Sequence, residues 1–239
     1  MDLDLAFSII ATVIMFSFTI VVLYRFVQRR HLHNLFWGVG LLMFGIGTFA
    51  EAYLKLAWSD LLFRSWYVFG AMLNAGWLGH GSLALLVRRP WVRYLTLAVV
   101  VLSLIGIVAV FTVSINSAAF TATQPVAAQY KDILPKGGVR LLTPLFNVYG
   151  TVFLVGGAIY SAYLFWRKQM SPNRVVGNVL IAAGALVIAS AGTLTRLFFG
   201  GFLTVSELAA AVLMFVGFML ASAPSRAPAR ETGQATRAV

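Results

Sequence analysis

In the stretch GTFAEAYLKLAWSDLLFRSW, residues 47–66, Glu51 and Lys55 stand four apart, and Asp60 and Arg64 repeat the spacing. On a helix such residues are neighbours, and Glu before Lys is the favoured order of an ion pair. A later stretch, TLTRLFFGGFLTVSEL, again sets a base, Arg196, beside an acid, Glu207. In an apolar chain a carboxyl can hold a proton or a cation, and an ammonium or guanidinium can hold an anion. Ionisable groups within a membrane span cost roughly 2.5–3.5 kcal/mol at its centre, so they are functional candidates by default.

We therefore expect Glu51, Lys55, Arg196 and Glu207 to line one outward-opening cavity, with Asn147 and Tyr149 near its top and Asn74 deeper. Polar groups converging within an apolar bundle form a ligand site. The opposing reading is that Lys55, Arg64 and Arg196 extend to the headgroups and the glutamates merely pair with them. Asp60 and Arg64 are read as a wet turn, whereas Glu51 should lie about 9 Å below the end of its span.

His80, in WLGHGSL, is the one histidine within an expected span. It either relays a proton or bridges helices by hydrogen bonds. His31 and His33 have a spacing that suits a surface metal, but adjacent arginines oppose a cation, and no metal is expected. No serine, histidine and aspartate set, paired haem histidines or phosphate-binding glycine loop is present. The expectation is a protein that is not an enzyme and has no cofactor.

These residues are carried by a chain of 239 residues that is 60% hydrophobic and 10% charged, far from the soluble balance. Its net charge of +11 is scattered in short clusters between apolar runs, which speaks against nucleic acid. Without cysteine, disulfides and thiolate chemistry are excluded. The acidic N-terminus opens a long apolar run, read as a retained span.

Crossing a hydrocarbon core takes about 20 residues. Seven runs qualify: 4–24, 34–57, 64–87, 94–114, 143–165, 175–197 and 203–221. They lack alternation, so the expected class is all-α, a seven-helix transmembrane domain over 1–221 with a disordered cytoplasmic tail over 222–239. All prolines should lie between spans or at their ends. The loop 115–142 contains VAAQYKDIL, whose Val126, Tyr130, Ile133 and Leu134 share a helical face, as in a short interfacial helix or lid.

Of the 18 Lys and Arg residues, only Lys55, Arg64, Lys131, Lys136, Arg140 and Arg196 fall on one side; the remaining twelve put the other side in the cytoplasm. The N-terminus is then outside and the tail inside. The expected location is the cell membrane.

Shifting the chain by 139 residues aligns Phe7, Thr12, Tyr24, Asn34, Gly38 and Gly45 with Phe146, Thr151, Tyr163, Asn173, Gly177 and Gly184. One repeat would span about 4–90 and another about 143–221, with the nearly all-apolar run 94–114 between them as an inverter. This three, one, three layout resembles that of the sugar-transporting SWEET proteins, in architecture alone. Their proline–glutamine motif is missing here, and no residue carries over. The first functional expectation is a small permease for a small polar or charged solute. The others are a receptor-like or accessory subunit that binds a ligand without transport, and an intramembrane lipid-modifying enzyme near His80. Expected partners are membrane lipids, a small-molecule ligand, and a membrane-protein partner or homo-oligomer.

Overall fold

A computed structural model describes residues 3–169, 172–198 and 202–223, with side chains described at all of these except 139 and 192–198. The described chain is all-α. The helices are α1 (Leu3–Arg29), α2 (Leu32–Leu54), α3 (Asp60–Ser65), α4 (Asn74–Leu86), α5 (Val92–Thr112), α6 (Val126–Ile133), α7 (Gly138–Arg167), α8 (Pro172–Phe198) and α9 (Phe202–Ala221). Six of them, α1, α2, α5, α7, α8 and α9, are long and apolar enough to cross a membrane, and they mark the chain as a multi-pass membrane protein.

The expected third span is built differently from the others. Helix α3, a π-helical stretch Trp66–Leu73 and α4 follow one another without a gap, so the helical run is continuous but its winding is not. Each piece alone is too short to cross. Ser59 starts the run by accepting the Leu62 N–H at 3.4 Å.

Six elements close into a ring. Helix α1 packs on α2, α2 on α4, α4 on α7, α7 on α8, α8 on α9, and α9 returns to α1. Every ring helix contributes to one central apolar core, which includes Met15, Leu41, Leu78, Leu154, Ala185 and Met214. Helix α5 stands outside the ring. Of the most apolar 18 residues, 22% are buried in α5 and 61% in α2, so the expected linker is the peripheral element and α2 the central one.

Close approach at the ring's joints depends on missing side chains. A Cβ placed on Gly79 of α4 would stand 2.6 Å from the Cα and carbonyl oxygen of Gly150 on α7, so the two backbones touch. The glycines that the 139-residue shift equates do not share environments, however. Gly38 and Gly45 of α2 face Leu23 and Phe16 of α1, whereas Gly177 and Gly184 of α8 face Ala221 and Met214 of α9.

A second apolar cluster lies under the long loop. Val126, Ile133 and Leu134 are buried, and the Tyr130 ring stands 5.7 Å from Tyr67 and 6.2 Å from Trp66. The apolar face of α6 thus lies on protein, over the π-helical stretch. Gln129 holds the loop in shape, donating to the carbonyls of Thr121 and Gln124 at 2.9 Å each.

Two sequence expectations are corrected here. Pro144 lies inside α7, because that helix begins at Gly138, five residues before the expected start. Arg64 does not extend toward headgroups. Arg64 donates to the carbonyls of Val110 and Val113 at the end of α5, and Arg140 to those of Lys131 and Leu134 at the end of α6. Cations there satisfy carbonyls that a helix end leaves unpaired. The tail beyond residue 223 lies outside the described residues.

Because backbone meets backbone at the α4–α7 joint, Gly79→Ala has no flexible atom to displace. The expected cost is about 1–3 kcal/mol, read as a lower midpoint of thermal unfolding in mild detergent; an unchanged midpoint would show that this joint yields freely.

Candidate functional site

Glu51 lies in the last turn of α2 and is 1% exposed. Helix α2 ends at Leu54, three residues on, so the carboxyl is only about 4.5 Å below the helix end by helical rise. Its burial comes from what covers it. Trp66, Thr204 and Glu207 border the carboxyl, yet neither oxygen closes a hydrogen bond of good geometry.

Lys55 turns inward rather than out to the headgroups. Its Nζ is 4.0 Å from Glu51 Oε1 and donates to Ser8 Oγ of α1 and Thr204 Oγ1 of α9 at 3.2 Å each. Both hydroxyls are buried. One ammonium therefore joins three helices at the point where the ring closes. Glu51 and Lys55 thus form the ion pair that their spacing leads one to expect. Asp60 and Arg64 do not repeat it: Asp60 Oδ1 accepts from Trp58 Nε1 at 2.6 Å, while Arg64 caps α5.

Glu207, in the second turn of α9, is 7% exposed and borders Glu51. Two carboxyls and one ammonium thus share a dry site. With both acids ionised the set sums to one negative charge. One proton on either carboxyl makes it neutral, which is the cheaper state where desolvation penalises net charge. Chemically, the site can take up and release a proton between two acids.

Glu207 also lines a cavity of about 540 Å³ between the π-helical stretch, α4, α7, α8 and α9, with Tyr130 of α6 at its edge. Asn74 and Asn147 line the same cavity. Asn74 Oδ1 accepts the Ala75 N–H at 2.5 Å, and Asn147 Nδ2 donates to the Ala71 carbonyl at 2.9 Å. So three of the expected residues, Asn74, Asn147 and Glu207, share one hollow. Glu51 and Lys55 stand behind Glu207 and do not line it. The side chain of Arg196 lies outside the described residues.

Tyr149 is placed elsewhere. Two residues after Asn147, it faces another side of α7, where its hydroxyl is 2.7 Å from His80 Nδ1. His80 Nε2 is 2.8 Å from Thr96 Oγ1. The ring is fully buried and edge-on to Phe36, so His80 links α4 to α5 and α7 with both nitrogens occupied. Tyr149 therefore belongs to this closed chain and not to the carboxyl site. Among the described residues, no three His, Asp or Glu side chains are grouped so as to hold a metal ion.

Sequence reasoning missed a second cavity, of about 440 Å³, at the opposite end of the ring. Arg25, Arg29, Arg174, His33, Asn34 and Asn178 are among the residues that line it. The signal was present in the spacing of Arg25 and Arg29, one helical turn apart, but arginines near span ends read first as orientation markers. Leu78, Leu154 and Met214 line both cavities and form the apolar floor between them.

Comparison of the chain with protein-family models, with curated proteins and with solved structures finds no match.

The His80 chain generates a prediction separate from the carboxyl site. Tyr149→Phe removes one partner of a buried imidazole, which should cost about 1–3 kcal/mol of stability. Chemical or thermal unfolding of the purified variant measures the loss, and a variant as stable as the parent would show that the bond carries little.

Proposed function

We propose that the protein is a small permease of seven membrane crossings that moves a small polar or charged solute through the centre of its helix ring. The observation that carries this reading is the pair of cavities that enter the ring from opposite ends and stop at the same three residues, Leu78, Leu154 and Met214. A thin apolar barrier between two vestibules, each bearing a few polar side chains, is what alternating access requires. The continuous run α3, π-helical stretch and α4 supplies the third crossing. The cavity lined by Glu207 faces outward, and the arginine-lined one faces the cytoplasm, following the basic loops.

Ring order supports the three, one, three plan. Helices α1, α2 and α4 follow one another around the ring, as do α7, α8 and α9, while α5 lies outside. In this reading Glu207 is the contact between solute and coupling ion, and Glu51 with Lys55 holds the proton that Glu207 exchanges. Pro144 near the start of α7 and the π-helical stretch provide points at which the halves can bend.

The tight seating of α6 favours a second reading. Ile133 and Leu134 are each 1% exposed, so the cover over the outer cavity is firmly packed. A cover of that kind suits a receptor-like subunit that retains a ligand and transports nothing.

Proteoliposomes loaded with a pH-sensitive dye discriminate the two. Screened against sugars, amino acids and small carboxylates, a permease gives a solute-dependent internal pH change. Glu207→Gln should reduce its rate by about tenfold or more, the scale of one lost charged contact. Solute-induced thermal stabilisation with no flux, in protein of either orientation, would reject transport and leave the receptor reading.

A further inference from the structure

We propose that the arginine-lined cavity is a binding site for a phosphate group. Arg25 and Arg29 stand one turn apart on α1, and Arg174 faces them from the first turn of α8; all three line one hollow of about 440 Å³. Among the described residues, no acidic side chain lines it. The described acids, Asp4, Glu51, Asp60, Asp132 and Glu207, all sit at the other end of the helices. Three guanidiniums at the mouth of an apolar ring therefore repel one another without a counter-charge from the described residues.

Local contacts hold these cations without neutralising them. The Arg25 guanidinium lies 4.5 Å from the Phe218 ring centroid and that of Arg174 lies 6.0 Å from the Phe165 ring centroid. A ring attracts the face of a guanidinium and leaves its in-plane N–H groups free for an acceptor. Arg174 Nε is buried and has no hydrogen-bond partner, an expensive state for a charged donor unless a ligand completes it. Asn34, buried on α2, and Asn178 on α8 add neutral polar groups to the same wall.

The occupant that fits is a compact anion with more than one charge and several acceptor oxygens. A phosphate meets that description better than a carboxylate, because three planar donors can share its oxygens and its second charge. The volume falls within the usual range for small-ligand pockets and is too small for a folded partner or a nucleic acid. Two sources offer the same group: a phosphorylated or free phosphate solute from the water phase, and the headgroup of an anionic phospholipid entering from the bilayer. The inference stands on this cavity alone and holds whether or not the protein transports anything.

Thermal unfolding of the full chain in maltoside detergent tests it. The protein is titrated with inorganic phosphate and pyrophosphate against chloride of equal ionic strength, and with short-chain phosphatidylglycerol against phosphatidylcholine. Stabilisation by the phosphate salts assigns the site to a solute, and stabilisation by phosphatidylglycerol alone assigns it to a lipid headgroup. In either case Arg29→Gln, an exposed position that should not disturb folding, weakens the response by about tenfold in apparent Kd. Arg174→Gln should weaken it at least as much. Arg93→Gln, a charge at the same end that does not line the cavity, should leave it unchanged. The proposal is overturned if neither phosphate source stabilises the protein, or if Arg29→Gln and Arg93→Gln behave alike, since that would reduce the effect to general surface charge.

Discussion

The ammonium of Lys55 is a polar tie at the point where the ring closes, beside the stack of Phe18 of α1 on Phe215 of α9. It bonds to hydroxyls of the first and last helices while standing beside the carboxyl of the second. Lipid supplies no hydrophobic drive between helices, so packing and polar contacts must set their arrangement. Here a cation in a dry joint requires an anion nearby, and Glu51 answers that need. Glu207 then exceeds it. The surplus acid separates this cluster from a purely architectural ion pair, because two carboxyls beside one base are neutral only when a proton is shared.

The remaining architecture follows from satisfying backbone and charge where water is scarce. Two arginines close helix ends: Arg64 takes the last carbonyls of α5 and Arg140 those of α6. With these ends capped, the loop can lie flat and seal apolar side chains beneath α6. The described acids lie toward one opening of the ring, whereas the guanidiniums of Arg25, Arg29 and Arg174 line the cavity at the other. The two cavities inherit opposite chemistry from that sorting while sharing an apolar floor.

Much of the helical layout was legible in the amino-acid sequence. Backbone groups in lipid must pair within their own segment, so apolar length alone locates α1, α2, α5, α7, α8 and α9 to within a few residues. The apolar face of VAAQYKDIL likewise anticipated α6. What could not be read is which way a long side chain turns. Lys55 finds partners 47 and 149 positions away, and His80 finds its own 16 and 69 positions away. No local pattern encodes such distances. Asn147 and Tyr149 looked alike in the sequence, yet two residues on a helix are about 200° apart, and they serve different neighbourhoods. Depth misled in its turn: Glu51 is dry because of its neighbours and not because it is deep.

The π-helical stretch Trp66–Leu73 governs how the helical run from Asp60 to Leu86 tolerates change. A π turn takes up more residues than an α turn, so it shifts the angular phase of everything after it relative to everything before. Asn74 at the cavity that Glu207 lines, Leu78 in the apolar floor and His80 in its hydrogen-bonded chain all lie downstream and are aimed by that offset. Removing one residue from this stretch would swing all three together by about 100° while leaving the segment as apolar as before. Hydropathy would register almost nothing, yet the cavity walls would be rearranged. The unusual winding therefore acts as a setscrew for one wall of the molecule, and length here is constrained more tightly than composition.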